Sequence, residues 1–201
     1  MKKHEIVYRE IACAYVDGVR RFTQLGLSKK LGMSISTVNG AVSKLAGINA
    51  VRVKLRYFEV IDFERLLMFW TTHHSTAKEV VYSARVDMPV GKIEGSLPDG
   101  VAYTAYTAYR TLFGDAPADY SEVYLYATGK ALEEIKRRFS GKAGAPNLFV
   151  LKTDELLKER IEKKELKRSS VCAAMAFVDT WNLKEWYSKE YADAYMKRLI
   201  E

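Results

Sequence analysis

The sequence predicts an α+β protein, and three observations carry that prediction. Residues 27–45 place apolar side chains at helical spacing on both sides of a Gly-Met-Ser break. Residues 50–62 alternate apolar and polar side chains through a basic hairpin. After residue 78, strand and helix patterns alternate toward the end of the chain. The first two describe an N-terminal winged helix-turn-helix over residues 1–63. The third describes a C-terminal mixed α/β domain over residues 64–201, with helices packed on a small sheet.

Residues 5–16 form the first helix, with Ile6, Ile11, Cys13 and Val16 among its apolar positions. In the next helix Leu27 and Leu31 point inward at i and i+4, and Ser28 allows close approach. Gly32 ends that helix in the left-handed conformation glycine tolerates best. Ser34 stands at the N-cap of the following helix, whose buried stripe is Val38, Val42 and Leu45. The opposite face is Ile35, Ser36, Asn39, Gly40, Ser43 and Lys44, joined at the helix start by Ser34 and Thr37. It is short and polar and contains no carboxylate, as a helix that reads base edges requires. Asn39, with Ser36 and Ser43, is assigned the base contacts, since a carboxamide matches adenine. Gly40 leaves a gap where a longer side chain would reach a groove, which shifts weight onto the hairpin.

Any amphipathic helix pair shares this apolar spacing; the basic hairpin that follows separates the two readings. Arg52, Lys54 and Arg56 project from it toward phosphates or the minor groove. Arg20 and Arg21, between the first two helices, add backbone contacts.

The charge distribution agrees. The net charge of +7 is concentrated in residues 1–63, where 11 Lys/Arg face 5 Asp/Glu; the remainder holds 21 against 20. A nucleic-acid module concentrates its cations in this way. With about 4–6 phosphates neutralised, log K should fall against log salt with a slope of about −4 to −5. An apolar fraction of 48% and a charged fraction of 28% describe a folded chain. No apolar run approaches the roughly 20 residues of a membrane span, and the N-terminus has no apolar signal region, so a cytoplasmic location and no membrane partner are expected. In that reducing compartment Cys13 and Cys172 read as small hydrophobes in two separate cores, with a disulfide or a metal pair as the lesser alternatives. Adjacent His73 and His74 point in different directions, and no metal site is expected.

In the second half, residues 65–72 read as a helix whose Leu66, Leu67, Phe69 and Trp70 pack on the wing, with no flexible linker before it. Residues 79–86 read as a strand and 91–100 as loop. Residues 101–113, with Tyr103, Tyr106 and Tyr109 at every third position, read as a helix on a sheet. Residues 122–127 alternate as a strand, 130–139 form a helix with acidic start and basic end, and 147–151 form a central strand. Residues 154–167 read as a solvated charged helix, 171–181 as a small apolar segment and 183–200 as a long closing helix. Asp179 reads as an N-cap or turn residue opening that last helix. Tyr187, Tyr191 and Tyr195 read as core side chains, with a dimer surface as the alternative.

No nucleotidyltransferase Asp-x-Asp pair follows Gly95-Ser96, and no phosphate-binding loop or nucleophile elbow is present. A metal-dependent nuclease built on Pro98-Asp99 and Glu122 would have Tyr124 where its lysine belongs. The chain is therefore read as a non-enzyme, with no catalytic residues and no cofactor.

Three phrases in the second half carry a resemblance: Thr104-Ala105-Tyr106-Thr107-Ala108-Tyr109-Arg110; Ala116-Pro117-Ala118-Asp119-Tyr120 with the tyrosine-rich strand after it; and Phe177-Val178-Asp179-Thr180-Trp181-Asn182-Leu183. With the N-terminal module, they resemble a family of archaeal winged-helix regulators similar to the AbiEi-type antitoxins of type IV toxin–antitoxin systems. That resemblance implies a DNA-binding domain that represses its own operon and a C-terminal domain that counters a nucleotidyltransferase toxin. The partners expected are double-stranded DNA, the cognate toxin and, as a further candidate, a second copy of the chain. The competing readings are a protein-binding adaptor on a winged-helix scaffold and a degenerate nuclease.

Overall fold

The computed structural model describes residues 1–201. It is an α+β fold of eleven α-helices and two small sheets. None of its helices is long and apolar enough to cross a membrane.

Helix α1 (Lys3–Val16) leads through the short strand β1 (Arg21–Phe22) to α2 (Gln24–Leu31) and α3 (Ile35–Gly47). The turn between α2 and α3 is fixed by local chemistry. Gly32 caps α2 at φ 59° and ψ 30°, and the Ser34 hydroxyl accepts the Thr37 N–H at 3.1 Å. Val38, Val42 and Leu45 are buried, as their spacing requires. Strands β2 (Val51–Val53) and β3 (Phe58–Val60) form a hairpin closed by the Lys54 N–H on the Tyr57 carbonyl. β1 adds antiparallel to β3, giving the order β1-β3-β2.

Helix α4 (Phe63–His73) buries Leu66, Leu67 and Trp70. After the single turn α5 (Thr76–Glu79), the second sheet takes the order β4-β7-β6-β5, built from β4 (Val80–Ala84), β5 (Val101–Tyr103), β6 (Val123–Ala127) and β7 (Leu148–Leu151). β7 is interior and parallel to β6, and the other two pairings are antiparallel. Side chains alternate along β6 with the period of two that strands impose. Val123, Leu125 and Ala127 enter a small core with α6 (Val90–Gly95) and α8 (Gly129–Arg138); Tyr124 and Tyr126 enter the main core on the other face. That face is covered by α7 (Ala105–Phe113), α10 (Ala173–Trp181) and α11 (Ser188–Ile200), while α9 (Glu155–Glu162) lies against α1.

Three expectations change. The helix over 101–113 is a strand followed by a helix: Thr104 is extended and Ala105 has φ 49°, and the break lets residues 101–103 pair with the edge of β6. The loop over 91–100 contains α6, because Ile93 docks into the small core. The closing helix starts at Ser188 rather than at residue 183, since Asn182 caps α10 by donating to the Val178 carbonyl at 3.0 Å. Tyr187, Tyr191 and Tyr195 lie in the core as expected, packed against Tyr106 and Tyr109, which leaves them no surface for the alternative role in a dimer.

The boundary expected after residue 63 divides no core. One cluster of 41 buried apolar side chains runs from Val7 on α1 to Tyr195 on α11. Helix α1 is the seam. Its Glu5, Arg9 and Cys13, spaced by four residues on one face, each reach a distant partner. Arg9 Nη2 donates to Asp154 Oδ1 at 2.9 Å, and Glu10 beside it takes both Lys30 and Arg160, at 2.5 and 2.8 Å. Cys13 is bonded to Cys172, immediately before α10, with 5.8 Å between Cα atoms. The two-core reading of the cysteines is therefore corrected: they are neighbours, because α1 packs on α10.

Asp179 is corrected too. It caps no helix; it sits inside α10 at 1% exposure. Thr104 Oγ1 donates to its Oδ2 at 2.6 Å and the Tyr126 hydroxyl to the same oxygen at 2.9 Å. His74, also fully enclosed, lies between Glu5 Oε2 (3.0 Å from Nδ1) and Asp179 Oδ1 (2.8 Å from Nε2, a bent contact). Burial opposes charge on the imidazole, but the bonds and charges of Asp179 and Glu5 prevail and push its pKa up to about 9. Burial likewise opposes the Glu5 carboxylate, yet His74 and the Lys2 N–H hold it below its ordinary value. An imidazolium between two carboxylates thus joins α1, α4 and α10.

Candidate nucleic-acid interface

The exposed edge of α3 and the hairpin beside it contain every residue assigned to a nucleic acid except Arg20 and Arg21, which precede and begin β1. Ser36, Asn39 and Ser43 are open to solvent, and nothing in the chain covers them. Their exposure follows from the sequence: α3 spends its apolar positions on the buried stripe and has only short polar side chains left for the other face. Asn39 Nδ2 donates to Gln24 Oε1 at 3.1 Å, a contact with the start of α2 that no local pattern indicated. It holds the carboxamide in place and leaves Oδ1 and the second N–H for an adenine edge.

Three assigned residues serve the fold as well. Ser34 and Thr37 are engaged with each other, their hydroxyl oxygens 2.9 Å apart in the cap of α3. Gly40 opens no gap: a β-carbon there would stand 3.4 Å from the His4 ring, so α1 fills the space. His4 Nδ1 lies 3.2 Å from Lys44 Nζ. Burial, then the neighbouring Lys44 and His73, lower the His4 pKa, which favours the neutral ring at this contact.

The cations are not equivalent. Arg21 and Arg52 flank Glu59 in register across the three strands, at 3.8 and 3.4 Å. Their two charges are reduced to one by a carboxylate that the summed charge of residues 1–63 conceals. Arg20 stacks 3.8 Å above the Tyr15 ring and donates to the Tyr15 carbonyl, tied to the end of α1. Lys44, Lys54 and Arg56 make no ion pair. Between Lys54 and Arg56, the hairpin tip presents Leu55 at 98% exposure.

The nuclease pair is not assembled. β5 and β6 run antiparallel with Val101 opposite Ala127, so Asp99 lies past one end of β6 and Glu122 past the other. At about 3.3 Å per residue they are more than roughly 15 Å apart, too far to share an ion. No group of three or more His, Cys, Asp or Glu side chains gathers elsewhere in a form that would hold a metal.

No family model, no curated protein and no solved structure matches this chain. The antitoxin resemblance rests on three phrases, all of which have structural roles: in the second, the Ala118 carbonyl accepts the Tyr191 hydroxyl at 2.7 Å and Tyr120 packs on Tyr106. Thr104 and Asp179 meet in the buried network, and Tyr106 and Tyr109 pack in the tyrosine core.

Proposed function

We propose that this chain is a sequence-specific DNA-binding transcriptional regulator whose residues 1–63 act as a winged helix-turn-helix. In this reading α3 lies in the major groove and the β2–β3 hairpin is the wing. One observation carries it: the solvent-facing side of α3 is free of carboxylates and open along Ser36, Asn39 and Ser43, with Lys44, Lys54 and Arg56 unpaired beside it. The element order α1-β1-α2-α3-β2-β3 and the sheet order β1-β3-β2 support it further.

Selection from a random duplex pool at fixed salt, followed by titration, tests this. Asn39→Ala should cost about 1–3 kcal/mol on the selected site by relaxing one base position, while Lys54→Ala should weaken all duplexes alike and flatten the salt slope by about 1. An equal loss for Asn39→Ala on selected and scrambled duplexes would remove its role in base reading. Glu59→Gln, which frees Arg21 and Arg52, should tighten binding to any duplex and steepen the slope by about 1, measured by fluorescence anisotropy across a salt series.

A second reading has its own support. Ile35 on α3 and Val53 on the hairpin are half exposed and Leu55 at its tip almost wholly so, which leaves apolar side chains in solvent among the assigned residues. That composition suits a protein-binding adaptor, or contact with the toxin that the resemblance implies. Absence of any salt-sensitive duplex binding would favour it.

A further inference from the structure

Between α1 and the segment leading into α10 lies a cavity of about 680 Å³, within the usual range of small-ligand sites. Cys13 and Cys172 both line it, so the disulfide is presented to a pocket instead of being sealed in the core. Of the two, Cys13 is buried on α1 and Cys172 is partly open. The pocket walls carry both signs of charge: Lys30, Arg160 and Lys167 line it together with four carboxylates, Asp17 and Glu165 among them.

We propose that the Cys13–Cys172 bridge is a thiol–disulfide exchange site for a small zwitterionic thiol of the glutathione class. The pocket is large enough for such a molecule, and walls of mixed charge suit one that carries an ammonium and carboxylates. The incoming thiolate attacks the accessible Cys172 Sγ. The bond to Cys13 Sγ breaks, and Cys13 leaves with the electron pair and takes a proton from water. A second thiol then attacks the outer sulfur of the mixed disulfide, and Cys172 departs as a thiolate. Its place at the start of the nine-residue helix α10 favours that anion. Two small thiols are thereby oxidised to their disulfide while the protein disulfide is reduced to two cysteines. The bridge joins α1 to α10, so exchange sets how firmly the two halves are joined. The site does not depend on DNA binding.

The test follows reduction of the full, oxidised chain by reduced glutathione under native conditions, using acid quench, intact mass and peptide mapping. Reduction should be first order in glutathione and on the order of ten-fold faster than unfolding-limited exchange, with circular dichroism unchanged. With oxidised glutathione, the Cys13→Ser variant should gain one adduct on Cys172, and Cys172→Ser should gain one on Cys13 on the order of ten-fold more slowly. Ala14→Trp, on the pocket wall, should slow reduction of the intact bridge. Reduction that proceeds only at the unfolding rate, or a rate unaffected by Ala14→Trp, overturns the proposal. Both of those readouts use proteins that keep the bridge, so they decide the matter even if a single-cysteine variant fails to fold.

Discussion

His74→Ala should lower the unfolding free energy by about 3–5 kcal/mol, the usual cost of removing one member of a buried ion pair. The size follows from what is left behind: Glu5 and Asp179, both buried, lose the cation between them. Urea unfolding near neutral pH measures it, as a lower midpoint at unchanged slope. Adding Glu5→Gln to His74→Ala should recover part of the loss, because one unpaired charge then disappears. A loss below about 1 kcal/mol would mean that the imidazole is not the counter-ion described here.

The same triad gives stability a pH dependence of known sign. The folded-state pKa of His74, about 9, lies above its ordinary value of 6.5, so the native chain binds this proton more tightly than the unfolded one. Its contribution is therefore complete below about pH 6.5 and is lost as the pH rises through about 9, on the order of 3 kcal/mol in all. Glu5 acts in the opposite direction. Its pKa is held down by folding, so its contribution is present above the ordinary carboxylate range and disappears as the solution is acidified. Unfolding midpoints from pH 6 to 10 should fall in the wild type and stay flatter in His74→Ala.

Loss of the disulfide should have an effect of similar size. The bridge spans 159 residues, for which loop-closure entropy gives about 5 kcal/mol at room temperature. Wild-type chain unfolded with and without a strong reductant, and Cys13→Ser in parallel, should show this difference. Because α1 packs against both α3 and α10, the loss should also be felt at the candidate interface, as weaker duplex binding from a less rigidly supported α3. If oxidised and reduced chains unfold at the same midpoint, the bridge adds nothing to the seam.

What the sequence determined by itself is local. The left-handed Gly32, the Ser34 cap, the Val38–Val42–Leu45 stripe, the basic hairpin and the alternation of β6 each depend on residues within a few positions of one another, so periodicity and turn chemistry suffice to find them. The exposed face of α3 was legible for the same reason. Tertiary structure alone decided which side chains lose water and what they meet there. His74 finds Glu5 from 69 residues away, Cys13 finds Cys172 from 159, and Asp179, which looks from its neighbours like a turn residue, becomes the anion beneath a buried imidazole. Glu59 halves the charge of two arginines only because strand register sets it between them. Desolvation and ion pairing are properties of three-dimensional neighbourhoods. A neighbourhood assembled across a hundred residues leaves no period in the chain, so the seam that makes one core of two apparent domains could be seen only in the folded protein.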